Sequence, residues 1–169
     1  MKNKNPKVLH IISSLQQGGA ERQLVELVKQ NNNHAICQLM SGNIFEEDIK
    51  KNKIVVFNLN VKKNFFAIFS LYTLYKIVKD FKPDIINTWM YHSSLFDVIL
   101  RTFILSYNTP LIWGLRCSNM DTLYYSKFLK FCILGCKYFS HIPNLIISNS
   151  EEGKKFHTSI GFKNKNIVI

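Results

Sequence analysis

The sequence predicts an α/β fold, a Rossmann-like parallel sheet with helices on both faces. Three observations lead there. Short apolar, β-branched runs alternate with longer segments of helical periodicity along the chain. The first run, residues 8–12 (VLHII), leads into a small polar loop ending in Gly18-Gly19 and then into a helix-spaced set, Ala20, Leu24, Leu27 and Val28. No internal repeat or linker breaks the alternation, so the 169 residues read as about one domain with room for a sizeable core.

The elements follow in order. Residues 1–6 are a polar, basic lead-in. Residues 8–12 form the first strand and 13–19 the loop, with Glu21 in the first turn of the helix behind it. Residues 35–40 are a second strand, 41–43 a turn, and 44–51 a short helix whose acidic residues lie early, where the macrodipole favours them. Residues 54–59 are a third strand. A long helix over 65–81 ends at Lys82-Pro83, because the residue before proline disfavours helix. Strands at 84–88, 111–115 and 145–148 alternate with helices at 93–105, 122–139 and 151–159, the last with Ser150 as its cap. A final strand begins at residue 167.

Composition narrows the function classes. With 47% hydrophobic and 20% charged residues the chain is globular rather than disordered. The formal charge of +11 favours anionic partners, whether nucleic acid, acidic lipid or a phosphorylated ligand, yet no nucleic-acid fold signature is present. The four cysteines, Cys37, Cys117, Cys132 and Cys136, form no CxxC pair and no zinc spacing, so reduced thiols and no metal centre are expected. Residues 1–7 do not lead into a secretory signal, and no stretch reaches the ~20 apolar residues of a membrane span. Two segments have a basic-aromatic character that suits either a packed helix or a lipid interface. Residues 62–82 are apolar on nearly all sides and basic at both ends. Residues 124–139 interleave Lys127, Lys130 and Lys137 with aromatics.

In a parallel α/β sheet, ligands bind outside the carboxyl ends of the strands. Reading those ends collects Ser13, Ser14, Gly18, Gly19 and Glu21 after the first strand, and Trp89, Tyr91 and His92 after the fourth. Arg116, Ser118, Asn119 and Asp121 follow the fifth, and Asn149, Ser150 and Glu151 the sixth. The adjacent glycines let a ligand approach the backbone, and the helix start offers N–H groups to a phosphate or sugar hydroxyl; the alternative is a glycine turn that serves only the backbone. GGAE is neither the GxGxxG dinucleotide fingerprint nor a P-loop. Arg116 suits bidentate phosphate binding, or a salt bridge to Asp121 or Glu21. His92, with a side-chain pKa near neutrality, suits proton transfer or a sugar hydroxyl, or else capping and packing. Ser118 and Asn119 are also ordinary turn formers, and Ser150 an ordinary cap.

Four stretches, VLHIISSLQQGGAERQLVELVK, PDIINTWMYHSSLFDVILR, PLIWGLRCSNMD and NLIISNSEEGKKFHTSIGFKNKNIVI, occur in the order found in family 4 glycosyltransferases. The chain resembles the N-terminal half of these retaining enzymes of GT-B fold. The resemblance implies an acceptor-side Rossmann-like domain over residues 1–169, with the nucleotide-sugar domain, including its paired glutamates, outside this sequence. It implies transfer of a sugar from a nucleotide-sugar donor to a glycan or lipid-linked acceptor in cell-surface polysaccharide synthesis. It also implies retention of the anomeric configuration and no need of a metal or other cofactor. Leaving-diphosphate stabilisation by glycine-loop amides and basic groups is implied as the source of catalysis.

His92 is then the catalytic candidate, although the family's histidine falls at positions matching Asn87 or Trp89. Gly18, Gly19, Glu21, Trp89, Arg116, Ser118, Asn119 and Ser150 are the substrate-binding candidates. The implied place is cytoplasmic, peripheral on the inner face of the cell membrane, with an anionic membrane surface and the missing domain or a partner chain as partners and no nucleic acid. The alternatives are a non-catalytic acceptor- or membrane-binding subunit of a split glycosyltransferase, or a truncated inactive remnant.

Overall fold

The computed structural model describes residues 5–16, 18–61, 67–104, 108–116, 125–163 and 165–169. The chain divides into two compact units, Met1–Ile86 and Asn87–Ile169.

The first unit runs β1 (Val8–Ile12), α1 (Gly19–Lys29), β2 (His34–Gln38), α2 (Glu46–Lys51), β3 (Val55–Asn58) and α3 (Ala67–Phe81). β1 pairs in parallel with β2, Val8 opposite His34, and β2 with β3, Ala35 opposite Val55. All five residues of β1 are buried, as expected of a parallel strand covered on both faces. α1 buries Leu24, Val25 and Val28. Leu27, expected in the core, is exposed; at 3.6 residues per turn it is Val25 that lies beside Leu24 and Val28 on the inward face. α3 buries Ser70, Leu71, Leu74 and Val78. The entry to the fourth strand is tied to β1 through Lys7: its N–H donates to Asp84 Oδ2 at 2.8 Å, and its carbonyl accepts from the N–H groups of Asp84 and Ile85.

The fourth strand, β4 (Ile85–Trp89), begins in the first unit and ends in the second. It is followed by α4 (Met90–Ile99), a π-helical turn (Leu100–Ile104), β5 (Leu111–Leu115), α5 (Lys127–Phe139), β6 (Leu145–Ser148), α6 (Glu151–Ser159) and β7 (Asn166–Val168). β5 pairs in parallel with β6, Ile112 opposite Leu145, and β6 with β7, Ile146 opposite Asn166. The strand order is β3-β2-β1-β4-β5-β6-β7, that of a doubly wound α/β sheet.

Strands β1, β5 and β6 and helix α6 keep the bounds expected from the sequence. Several helix starts differ: α2 begins at Glu46 rather than 44, and two that bear on the site, α4 and α5, change what the strand ends present. α4 begins at Met90, directly on β4, rather than at residue 93, so Tyr91 and His92 lie inside its first turn. α5 begins at Lys127, where the hydroxyl of Ser126 accepts the Leu129 N–H at 3.1 Å and caps the helix; residues 122–124, also expected to be helical, lie outside the described residues. No helix among the described residues is long and apolar enough to cross a membrane.

Candidate functional site

In the first unit the glycine loop is built on the ends of three strands. Gln38, the last residue of β2, is buried. Its Oε1 accepts the Leu15 N–H at 3.1 Å and its Nε2 donates to Asn58 Oδ1 at the end of β3. Leu15, also fully buried, donates to the Gly42 carbonyl at 3.1 Å. Gly42 has φ +132°, a conformation that side-chain-bearing residues rarely adopt, and the Gln16 side chain rests against it. These contacts hold the loop that leads into α1.

Gly18 is the N-cap of α1, in extended backbone, and Glu21 folds back over it. A Cβ at Gly18 would fall 2.1 Å from Glu21 Oε2, whereas one at Gly19 meets nothing within 4 Å. The Glu21 carboxylate therefore lies over the N-terminal end of α1, where the helix dipole favours an anion. Gly19 keeps open space beside its backbone.

In the second unit the site is an elbow between β4 and α4. Trp89 closes the strand, and Met90 takes φ +68° to start the helix with no intervening loop. For a residue with a Cβ this left-handed conformation costs roughly 1–2 kcal/mol. The side chains behind it offset that cost. Ser93 Oγ donates to the Trp89 carbonyl, Ser94 Oγ to the Met90 carbonyl at 2.9 Å, and Thr88 Oγ1 lies 2.8 Å from Ser94 Oγ. All three hydroxyl residues are fully buried.

The elbow is also pinned from α6. Tyr91 Oη donates to His157 Nε2 at 2.6 Å, and His157 Nδ1 donates to the Gly153 carbonyl at 2.6 Å. With Nδ1 carrying the hydrogen, Nε2 is the acceptor, so the buried imidazole is neutral. Burial pushes its pKa down, and the bond to Gly153 opposes this only in part.

On this elbow two of the candidates meet. The Arg116 guanidinium, one residue past β5, lies over the Trp89 ring with Cζ 4.5 Å from the centroid. Trp89 is buried and Arg116 half-buried. Burial lowers the Arg116 pKa, but an arginine stays charged at neutral pH. A guanidinium stacked on an indole has lost part of its freedom before any ligand arrives, which suits a bidentate phosphate contact. His92, one turn into α4, stacks on Phe128 of α5 with centroids 5.4 Å apart and planes at 28°. Burial lowers its pKa too, so at neutral pH the ring is uncharged, with one nitrogen donating and the other accepting.

The remaining candidates are placed as follows. The Ser150 hydroxyl accepts the Gly153 N–H at 3.0 Å and caps α6. Ser118 and Asn119 lie outside the described residues, as do Cys117 and Asp121. Cys37, Cys132 and Cys136 are buried and in the thiol state, in no disulfide. Among the described residues no group of three or more His, Cys, Asp or Glu side chains is placed to hold a metal ion. Sequence reasoning passed over Gln38 and Met90. Gln38 was detectable as the one long polar side chain in AICQLM; nothing in the residues around Met90 signals its backbone conformation.

Strand order and strand-end residues define a Rossmann-like α/β fold of the kind found in GT-B glycosyltransferases. No family model matches the chain. It is 31% identical over 134 residues to the uncharacterized glycosyltransferase MJ1059 of Methanocaldococcus jannaschii, an alignment covering 72% of this chain and 32% of that protein. Among solved structures it is similar to Anabaena Alr3699/HepE in complex with UDP, with a TM-score of 0.76 at 15% identity, over 96% of this chain and 43% of that one. It is also similar to the UDP-N-acetylglucosamine 2-epimerase of Rickettsia bellii, with a TM-score of 0.62 at 13% identity, over 96% of this chain and 44% of that one. The chain thus spans about a third of the curated relative's length and less than half of either solved chain.

Proposed function

We propose that this chain is the acceptor-side half of a glycosyltransferase that moves a sugar from a nucleotide-sugar donor to a glycan or lipid-linked acceptor, with retention, in surface polysaccharide synthesis. One observation carries the reading: a charged guanidinium held over a buried indole at the carboxyl ends of β5 and β4, where α/β sheets bind ligands. Two likenesses support it. The curated relative is a glycosyltransferase, and one of the solved structures holds UDP. In the reaction the bond from the anomeric carbon to the diphosphate oxygen breaks and its electron pair leaves with the diphosphate. The acceptor oxygen bonds to the anomeric carbon and passes its proton to the departing diphosphate oxygen. Arg116 neutralises charge that grows on the diphosphate, the type of stabilisation that matters most in such steps. Neutral His92 hydrogen-bonds a sugar hydroxyl. Arg116 meets the diphosphate, and the nucleoside is held by a second, nucleotide-binding domain, in the same polypeptide or in a partner.

The test is transfer of labelled sugar from a panel of nucleotide-sugars by the gene product carrying this chain, beside the 169-residue chain alone. Transfer by the former, weakened by Arg116→Ala and His92→Ala, is the expected result. Epimerised or hydrolysed sugar without transfer overturns the reaction class, and transfer by the isolated chain overturns the division of labour. A second reading is an acceptor-binding subunit of a split glycosyltransferase. Co-purification with a separate donor-binding chain would select it.

A further inference from the structure

The hydrogen bonds that enter the elbow from α6 form a continuous run. It begins at the strand-end residue Ser150, whose Oγ accepts the Gly153 N–H at 3.0 Å. The Gly153 carbonyl accepts from His157 Nδ1, and His157 Nε2 accepts from the Tyr91 hydroxyl, each at 2.6 Å. Gly153, His157 and Tyr91 are all buried. A satisfied buried run of this kind stiffens the parts it joins, here the end of β6 and the first turn of α4.

Both partners of the central bond are themselves held. Phe156 and Phe162 meet the His157 ring edge to face, with centroids 5.4 and 5.0 Å away. The Tyr91 carbonyl accepts from Cys136 Sγ of α5 at 3.4 Å. Tyr91 therefore meets α5 through its backbone and α6 through its hydroxyl. Successive residues of a helix point about 100° apart. With Tyr91 directed at α6, His92 is turned to Phe128 of α5, and the same rotation carries the Met90 peptide and the end of Trp89. No loop lies between β4 and α4 to absorb a change in that angle. The hydroxyls of Ser93 and Ser94 bond within the elbow, to the Trp89 and Met90 carbonyls, and set its shape. Tyr91 and His157 set its angle against a neighbouring helix.

We infer that Tyr91 and His157 are positioning residues for the ligand site: together they fix the rotation of the first turn of α4, which keeps the Trp89 indole beneath Arg116 and His92 against Phe128. Both are buried, and both act through Trp89 and His92. The effect on binding rests on the reading of Arg116 over Trp89 as a phosphate contact. The effect on the Trp89 ring does not, and it is read without ligand.

The experiment places Tyr91→Phe, which removes one oxygen and keeps the ring, in the 169-residue chain carrying Trp113→Phe, so that Trp89 is the sole indole. Without ligand or denaturant, Trp89 emission should move to longer wavelength and its quenching by acrylamide should rise, as the ring leaves its place under the guanidinium. UDP-glucose should bind about fivefold more weakly than to the Trp113→Phe parent, the worth of about one hydrogen bond. His157→Leu cuts the same run from the other side and should reproduce the Tyr91→Phe shift. A role in stability alone lowers the urea midpoint and leaves the signal of the folded chain unchanged. Emission and quenching unaltered in Tyr91→Phe, whatever its urea midpoint, overturn the inference, and so does UDP-glucose binding as tight as the parent's. A parent with no saturable response to UDP-glucose counts against the phosphate reading, while the ligand-free signal still decides the positioning.

Discussion

His10 offers a direct test of the packing described for the first unit. It sits in the middle of β1 with its ring fully buried, and its Nε2 lies 3.1 Å from Nδ1 of the half-buried His34 on β2. One facing nitrogen donates and the other accepts, so the contact requires that at least one of the two rings be neutral. Burial first, and His34 second, lower the His10 pKa to about 3. In the unfolded chain a histidine titrates at about 6.5. Below pH 6.5 the unfolded state therefore takes up a proton that the native state refuses, and native stability falls as the pH drops towards 3. The slope is about 1.4 kcal/mol per pH unit for one such group. Between pH 6.5 and 4.5 this amounts to roughly 2–3 kcal/mol.

The perturbation is His10→Leu, which removes the titrating group and keeps the site apolar. At pH 7.5 the variant should lie within about 1 kcal/mol of the wild type, since the lost hydrogen bond is modest and His34 reaches water. At pH 4.5 it should be the more stable protein by about 2–3 kcal/mol, because His34 and His157, also lowered by burial, still titrate in both. Urea unfolding at the two pH values measures this. With a slope near 2 kcal/mol per molar urea the relative shift in midpoint is about 1 M. Equal losses of stability in wild type and variant between pH 7.5 and 4.5 would refute the buried, neutral assignment.

Three further outcomes are expected. Arg101→Ala leaves the fully buried Asp97 without the guanidinium whose Nε lies 3.4 Å from its Oδ2, and removes the 2.8 Å bond to the Thr109 carbonyl. Loss of about 3–5 kcal/mol, or roughly 10 °C in Tm, should follow, and a drop under 2 °C would contradict it. Tyr91→Phe strips the donor from buried His157 Nε2 and should cost about 1–3 kcal/mol in chemical denaturation; a cost near zero would mean the pair does not pin the elbow. Met90→Val places a β-branched residue at φ +68° and should destabilise by more than Met90→Gly, which any residue-independent loss of the side chain would not produce.

The sequence made the fold legible where hydrophobic pattern and boundary chemistry agree. β1, β5 and β6 are short apolar runs ended by polar or small residues, and Ser150 marks the start of α6 with its side chain as well as its position. It failed where tertiary contacts set the boundary. Nothing local distinguishes Trp89-Met90 from a strand running into a loop. The left-handed Met90 is held by Ser93, Ser94 and Thr88, whose hydroxyls read in sequence as ordinary helix and strand residues. The π-helical turn at Leu100–Ile104 follows the same rule, since Arg101 there reaches across to Thr109 before β5.

For the site, strand ends alone nominated Trp89, His92 and Arg116. The contacts they make come from neighbouring strands and helices. Arg116 reaches Trp89 from the end of β5, the strand next to β4 in the sheet, and His92 meets Phe128 because α4 packs on α5. The same packing exposes the α5 aromatics, which periodicity alone leaves equally readable as core.

The central claim is that Arg116 on Trp89 receives the phosphate of a nucleotide-sugar. The chain has two tryptophans, and Trp113 is fully buried in β5. In a Trp113→Phe background, Trp89 becomes the sole indole reporter directly beneath the guanidinium. Titration of the 169-residue chain with UDP-glucose should give a saturable change in its fluorescence, with a Kd of about millimolar or tighter. Arg116→Ala should weaken that binding by about tenfold or more, the worth of one hydrogen bond to a charged group. No saturable change, or a titration that Arg116→Ala leaves unaltered, would contradict the account.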